Sequence, residues 1–260
     1  MTESVVELWG YRELFYFLAW RDVKVRYKQA ALGAAWAVLQ PLLSMIVFSV
    51  LFGRLAGIPT DGIPYPLFAY CALLPWTYFS GALSLGGNSL VTNANLLTKV
   101  YFPRILLPAS SALSGLLDFA IGSVFLVVLM AYYHVQPTFH LLLYPVFIGA
   151  LWFLALGLSM WLAALNVRYR DIKHAIPFLI QLLLFVTPVI YPTTFVPLRF
   201  RPLLALNPLT GIIEGFRSSV FPGPRLDSAL IVTSAIVTMA IFVTGLMYFR
   251  RTERTFADIV

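Results

Sequence analysis

Long apolar runs separated by short basic segments make up most of this chain. Six stand out: about Leu32 to Leu55, Tyr65 to Val91, Ile105 to Tyr133, Leu141 to Val167, Ala175 to Tyr191 and Ser228 to Phe249. A helix needs roughly 20 apolar residues to cross a bilayer, so each run predicts a membrane span, the fifth being the shortest. Gln40-Pro41 predicts a bend in the first. The second carries Pro75 and leads into a Gly/Ser-rich stretch, SGALSLGGNS. A seventh stretch, Phe195 to Val220, is broken by Pro197, Pro202 and Pro208 and holds Arg199, Arg201, Glu214 and Arg217. It reads as broken, re-entrant helices, because irregular backbone at membrane depth needs protein or water around it.

Ahead of the first run, Tyr11 to Gln29 reads YRELFYFLAWRDVKVRYKQ. Polar positions are too frequent here for a span, and aromatics too many for a free surface. The pattern predicts an interfacial helix with Phe15, Phe17 and Trp20 at headgroup level. Either it is a simple anchor, or its cations Arg21, Lys24, Arg26 and Lys28 also meet anionic headgroups or a pyrophosphate. The first dozen residues hold Glu3 and Glu7 and lack a basic start, so no cleaved signal peptide is expected. The predicted fold is therefore an all-α polytopic membrane protein. Residues 1–30 form the cytoplasmic interfacial segment and 31–260 the six-helix transmembrane domain.

Composition agrees. Of 260 residues, 60% are hydrophobic and 11% charged, against about 25% charged in soluble domains. The 21 Phe, 13 Tyr and 6 Trp exclude a disordered chain. Net charge is +7, and its distribution orients the spans. If the N-terminus is cytoplasmic, only Arg54, Arg199, Arg201, Arg217 and Arg225 of the 18 basic residues fall outside. The positive-inside bias then places both termini in the cytoplasm. The charge is thus an insertion signal, and no fold for binding nucleic acid accompanies it. Cys71 stands alone, and His134, His140 and His174 are scattered near predicted helix ends as interfacial residues, so no metal site is expected.

The connections carry the candidate chemistry. NANLLTKVYFPRILLP, from Asn93 to Pro108, is too apolar for a plain loop. It predicts a short amphipathic helix, ended by Pro103, that either docks into a partner's groove or rests on lipid. The segment NVRYRDIKH, Asn166 to His174, is a stop signal or a contact surface. Asp118 sits in the third run, where a lone carboxylate costs on the order of 3 kcal/mol. With no Asp, Glu, Lys or Arg in the cores of the other five runs, a structural Asp bonded to Ser114 or to a hydroxyl of another helix is preferred to a proton relay. Glu214 and Arg217, three residues apart on a helix, form a candidate pair at an outer gate. No phosphate-binding loop, H-E-x-x-H or G-x-S-x-G occurs, so no catalytic residue is expected. If ATP is used, another chain hydrolyses it.

RYKQAALGAAWAVLQPLL, Arg26 to Leu43, closely resembles the opening of the first span in permeases of the ABC-2 exporter family. It is most similar to the branch that exports O-antigen, capsular and teichoic-acid polysaccharides. LNVRYRDIKH (Leu165 to His174), TPVIYP (Thr187 to Pro192) and LNPLTGIIEGFR (Leu206 to Arg217) resemble three further marks of that branch, in order. The likeness covers essentially the whole chain; YFPRILLP is a slight variant that leaves the docking role intact. The resemblance implies a homodimer with two copies of a separate ATPase, which binds ATP and Mg, and no cofactor in this chain. It implies the bacterial inner membrane, and a glycan on a polyprenyl pyrophosphate as cargo. Asn93, Lys99, Tyr101, Phe102 and Arg104 would couple to the ATPase. Arg21, Lys24, Arg26 and Lys28 would receive the lipid pyrophosphate, and Phe48, Phe52, Phe178, Phe185 and Tyr191 would line the glycan path. Alternatives are an ABC-2 exporter of drugs or simple lipids, a membrane enzyme acting on lipid-linked sugars, and a membrane scaffold.

Overall fold

The computed structural model describes residues 9–28, 33–60, 62–169, 171–222, 227–253 and 256, all helix and connection with no strand among them. Among the described residues ten α-helices follow in order: α1 Arg12–Lys28, α2 Trp36–Phe48, α3 Tyr65–Thr92, α4 Ala94–Lys99, α5 Leu106–Tyr132, α6 Tyr144–Arg168, α7 Ile172–Val186, α8 Arg201–Leu206, α9 Pro208–Val220 and α10 Ser228–Thr252. A 3₁₀ turn, Gly33–Ala35, leads into α2, and a π-helical stretch, Ser49–Leu55, continues it. Among the described residues four continuous stretches are long and apolar enough to cross a membrane: Gly33–Leu55, Leu106–Tyr132, Phe139–Arg168 and Ser228–Thr252.

Helix α3 takes the centre, packing against α6, α5, α2, α7 and α9. It has 28 residues, about 42 Å, but its composition is more polar than that of the four stretches above. Burial explains the composition: helices face α3 where lipid would otherwise be, so polar groups find partners there. The Tyr70 hydroxyl donates to the Gly122 carbonyl (3.2 Å) and that of Tyr78 to the Ala112 carbonyl (3.0 Å), both on α5. The Gly/Ser-rich stretch does not follow this helix but lies inside it. A Cβ on Gly87 would stand 2.8 Å from Ile176 Cδ1 and 3.2 Å from Leu162 Cβ, so the small residues there let α7 and α6 approach.

The broken stretch resolves into 3₁₀ turns Thr193–Phe195 and Leu198–Phe200, then α8 and α9. Asn207 starts α9 by accepting the Leu209 amide on its side chain at 3.1 Å, and Pro208 occupies the first turn, where no donor is needed. Every residue of α9 except Glu214 is buried, which satisfies the demand that irregular segments be wrapped in protein. Phe216 anchors it among Tyr144, Phe119 and Phe147, with ring centroids 4.9, 5.7 and 5.9 Å away.

Two apolar cores result. The larger joins α3, α5, α6 and α9. The smaller lies at the end where Lys99, Arg168 and Arg250 emerge, and gathers Leu18 of α1, Leu97, Phe102, Leu107, Met160, Phe249 and Phe256.

Candidate functional site

Helix α1 runs up the side of α5. Leu18, Asp22 and Arg26 recur every four residues and so share one face. Leu18 is buried in the smaller core. Asp22 faces Ser111, whose hydroxyl is 3.5 Å from its carboxylate. Two turns farther along α5, Arg26 forms an ion pair with Asp118, and the Tyr27 hydroxyl donates to the other oxygen of the same carboxylate. Asp118 lies 12 residues into α5, about 18 Å along its axis. The tip of α1 therefore reaches well past the start of the third apolar run.

This geometry accounts for Asp118. A hydroxyl of another helix does meet it, that of Tyr27, whereas Ser114 donates to the Ser111 carbonyl at 2.9 Å. Its charge partner comes from α1, outside the six runs, which is why a search of the runs alone missed it. Removing two charges from water is costly, and a shared pair with an added hydrogen bond offsets much of that cost. Burial lowers the Arg26 pKa from its ordinary value, with Asp22 opposing the shift, but an arginine stays charged and needs an anion.

The cluster of four cations toward the end of α1, Arg21, Lys24, Arg26 and Lys28, thus divides. Arg21 pairs with Asp22 at 2.8 Å and Arg26 with Asp118. Lys24 and Lys28 are exposed, Lys24 lying 5.8 Å from the centre of the Trp20 ring. Beside the Asp118 pair opens a cavity of about 370 Å³, lined among others by Trp36, Gln40, Thr77 and Ser80.

The connection after α3 also divides. Asn93 ends α3, its side-chain amide donating to the Ser89 carbonyl at 2.8 Å, and α4 follows. Val100 is extended (φ −132°, ψ 132°), so the next side chains point to opposite sides. Tyr101 is 85% exposed and Phe102 only 4%. Phe102 is thus an internal anchor of the smaller core, and Tyr101, with exposed Lys99 and Val100, is presented outward. Arg104 is tied to the end of α10: its amide donates to the Glu253 carboxylate at 2.8 Å and its guanidinium to the Glu253 carbonyl.

At the far end, Glu214 and Arg217 pair at 3.0 Å with Arg217 fully buried. The guanidinium also donates to the carbonyls of Pro188 (2.7 Å) and Val189 (2.8 Å). The Asn207 amide donates to the Thr187 hydroxyl at 2.9 Å. TPVIYP and LNPLTGIIEGFR therefore lock onto each other. LNVRYRDIKH is locked to α3 instead, Asn166 donating to the Gly87 carbonyl (3.1 Å) and the Asn88 side chain (3.0 Å).

The five aromatics proposed for a glycan path do not share one surface of the chain. Phe48 and Phe52 meet edge to face at 5.7 Å and lean on the larger core. Phe178 and Phe185 are each 59% exposed on α7, a helix that buries only Ile176. Tyr191 folds back, its hydroxyl donating to the Phe185 carbonyl at 3.2 Å. Phe68 and Glu253 were not picked out from the sequence, and Tyr27 and Thr187 stood there only as members of family-like motifs. For Tyr27 a signal existed, since it adjoins Arg26 in the motif opening the first span.

The profile of the ABC-2 type transporter family matches residues 13–221, and the chain belongs to that family. It is a multi-pass membrane permease. Over its full length and that of the relative, it is 33% identical to the O-antigen export system permease protein RfbA of Myxococcus xanthus. It is 27% identical to the RfbA of Klebsiella pneumoniae over 92% of each chain. It is also 23% identical to the polysialic acid transport protein KpsM of Escherichia coli, over 90% of this chain and 91% of the other.

Proposed function

We propose that this chain is the permease subunit of an ATP-driven exporter that moves a lipid-linked, O-antigen-like polysaccharide out through the bacterial inner membrane. The observation that carries the reading is the end-to-end match to an O-antigen export permease, at 33% identity with neither chain left over. A membrane enzyme acting on lipid-linked sugars would need clustered acids, and among the described residues the far end presents only the Arg217-paired Glu214 and the helix-capping Asp227.

In this reading the chain crosses six times, with both termini in the cytoplasm. The four long apolar stretches count as crossings, joined by α3 and α7. The burial of α3 supports its place among them. Helix α7 has 15 residues, about 22 Å, and the segment through Tyr191 completes its span. Two copies associate, and each engages an ATPase that binds ATP and Mg. Tyr101, Lys99 and Val100 form the ATPase-facing tip of the inner connection, while Asn93, Phe102 and Arg104 brace it from within. Lys24 and Lys28 draw the lipid pyrophosphate to α1, where Arg21 and Arg26 lie behind them. Phe178 and Phe185 line the glycan path on the exposed face of α7, next to Tyr191, and Phe48 and Phe52 contribute to it from the first span. The Glu214–Arg217 pair closes the outer end as part of a rigid lid.

Purification from native membranes tests the assembly. A stoichiometric ATPase recovered with the chain, and lost on detachment of the Tyr101 tip, is expected. A chain recovered alone under conditions that preserve other membrane complexes would contradict it.

A further inference from the structure

We propose that Asp118 is the built-in counter-ion of an anion site, holding Arg26 and Tyr27 until a phosphate or pyrophosphate group displaces its carboxylate. The inference rests on the exporter reading only for the identity of the ligand. Two different donors, a guanidinium and a phenol, converge on one carboxylate. A planar fork of N–H groups beside an O–H donor is equally suited to phosphate oxygens. The side chains of Arg26 and Asp118 are 29% and 26% exposed, so the pair is open to exchange and not sealed in the core.

The cavity beside it determines what else the ligand carries. Its volume, about 370 Å³, falls in the range of small-molecule pockets, about 300–1,000 Å³. Thr77 donates its hydroxyl to the Leu74 carbonyl (3.0 Å) and Ser80 to the Thr77 carbonyl (3.1 Å). Both hydroxyl oxygens keep lone pairs for incoming donors. Gln40 adds an amide and Trp36 an aromatic ring to the lining. Acceptors and an aromatic beside a phosphate site fit a glycosyl pyrophosphate, with phosphate at Arg26 and Tyr27 and sugar hydroxyls toward Thr77 and Ser80. Asp118 also sets the strength of the site. Every bound anion leaves this carboxylate without its partners, so affinity is lowered and release made easier, as a carrier requires.

Binding is measured directly, so a failure here is separable from a failure of the export reading. The purified full-length chain in nanodiscs is titrated with farnesyl pyrophosphate and with inorganic pyrophosphate. Asp118→Asn is expected to bind farnesyl pyrophosphate about two- to five-fold tighter, as when a partly exposed ion pair stops competing. Tyr27→Phe should weaken binding several-fold and Arg26→Gln should lose it. If Asp118→Asn is unstable, farnesyl pyrophosphate should raise its melting temperature and leave that of the Arg26→Gln/Asp118→Asn double variant unchanged. Farnesyl pyrophosphate binding tighter than inorganic pyrophosphate supports a lipid-borne ligand, and equal binding overturns that assignment. Asp118→Asn binding no tighter than wild type, or Arg26→Gln retaining full binding, would show that the pair only staples α1 to α5.

Discussion

The guanidinium of Arg217 lies 3.7 Å from the centre of the Phe68 ring, sandwiching a buried cation between the start of α3 and the unwound segment after α7. One side chain thereby joins three parts of the far end: the aromatic face of Phe68, the carbonyls of Pro188 and Val189, and the carboxylate of Glu214. The carboxylate reaches on to the Thr193 amide at 3.4 Å. A pair bound this way is tied to its surroundings, so the gate proposed above would shift with them as one body.

Replacing Arg217 with Met should therefore cost about 3–5 kcal/mol, the usual penalty for breaking a buried pair. Arg217→Lys should recover little, because an ammonium lacks the planar fork that spans two carbonyls and a carboxylate. Thermal unfolding in detergent checks both. Melting of Arg217→Lys at the wild-type temperature would show that charge alone suffices there.

The inner connection predicts a contrast between neighbours. Tyr101→Ala should leave the melting temperature unchanged and weaken recovery of the ATPase, since truncating an exposed aromatic anchor acts at an interface. Phe102→Ala should do the reverse first, costing about 3–5 kcal/mol through the cavity left in the smaller core. Unfolding curves and pull-downs on the same preparations separate them. Equal stability losses in the two variants would contradict the outward and inward assignment.

Helix limits were readable from run length: Tyr65 to Val91 became Tyr65–Thr92, and Ser228 to Phe249 became Ser228–Thr252. The Glu214–Arg217 pair was also legible, because its spacing on a helix is local. What periodicity could not give was how side chains far apart in sequence meet. Tyr101 and Phe102 look alike in the sequence, and only the extended Val100 sends them opposite ways. Asp118 and Arg26 are 92 residues apart, and nothing in either segment's pattern aligns α1 with α5. The family-like motifs had a further meaning hidden for the same reason: Asn166, Asn207, Arg217 and Arg26 each tie together segments far apart in the chain.

The six crossings proposed above predict a topology that is open to labelling, because Cys71, the only native cysteine, is buried. A cysteine at Thr60 should react from outside with an impermeant thiol reagent in intact cells, and one at Arg251 should react only after permeabilisation. Equal labelling of both in intact cells would contradict the six-crossing arrangement.

Export itself tests the central claim most directly. The chain and its ATPase, reconstituted together in vesicles holding a lipid-linked glycan on the ATPase-facing leaflet, should carry the glycan to the opposite leaflet when ATP is added. Glycan accessible to an impermeant hydrolase in the opposite compartment is the readout. The account predicts accumulation that requires both the chain and ATP hydrolysis. Robust hydrolysis with no glycan crossing, or crossing without ATP, would contradict it.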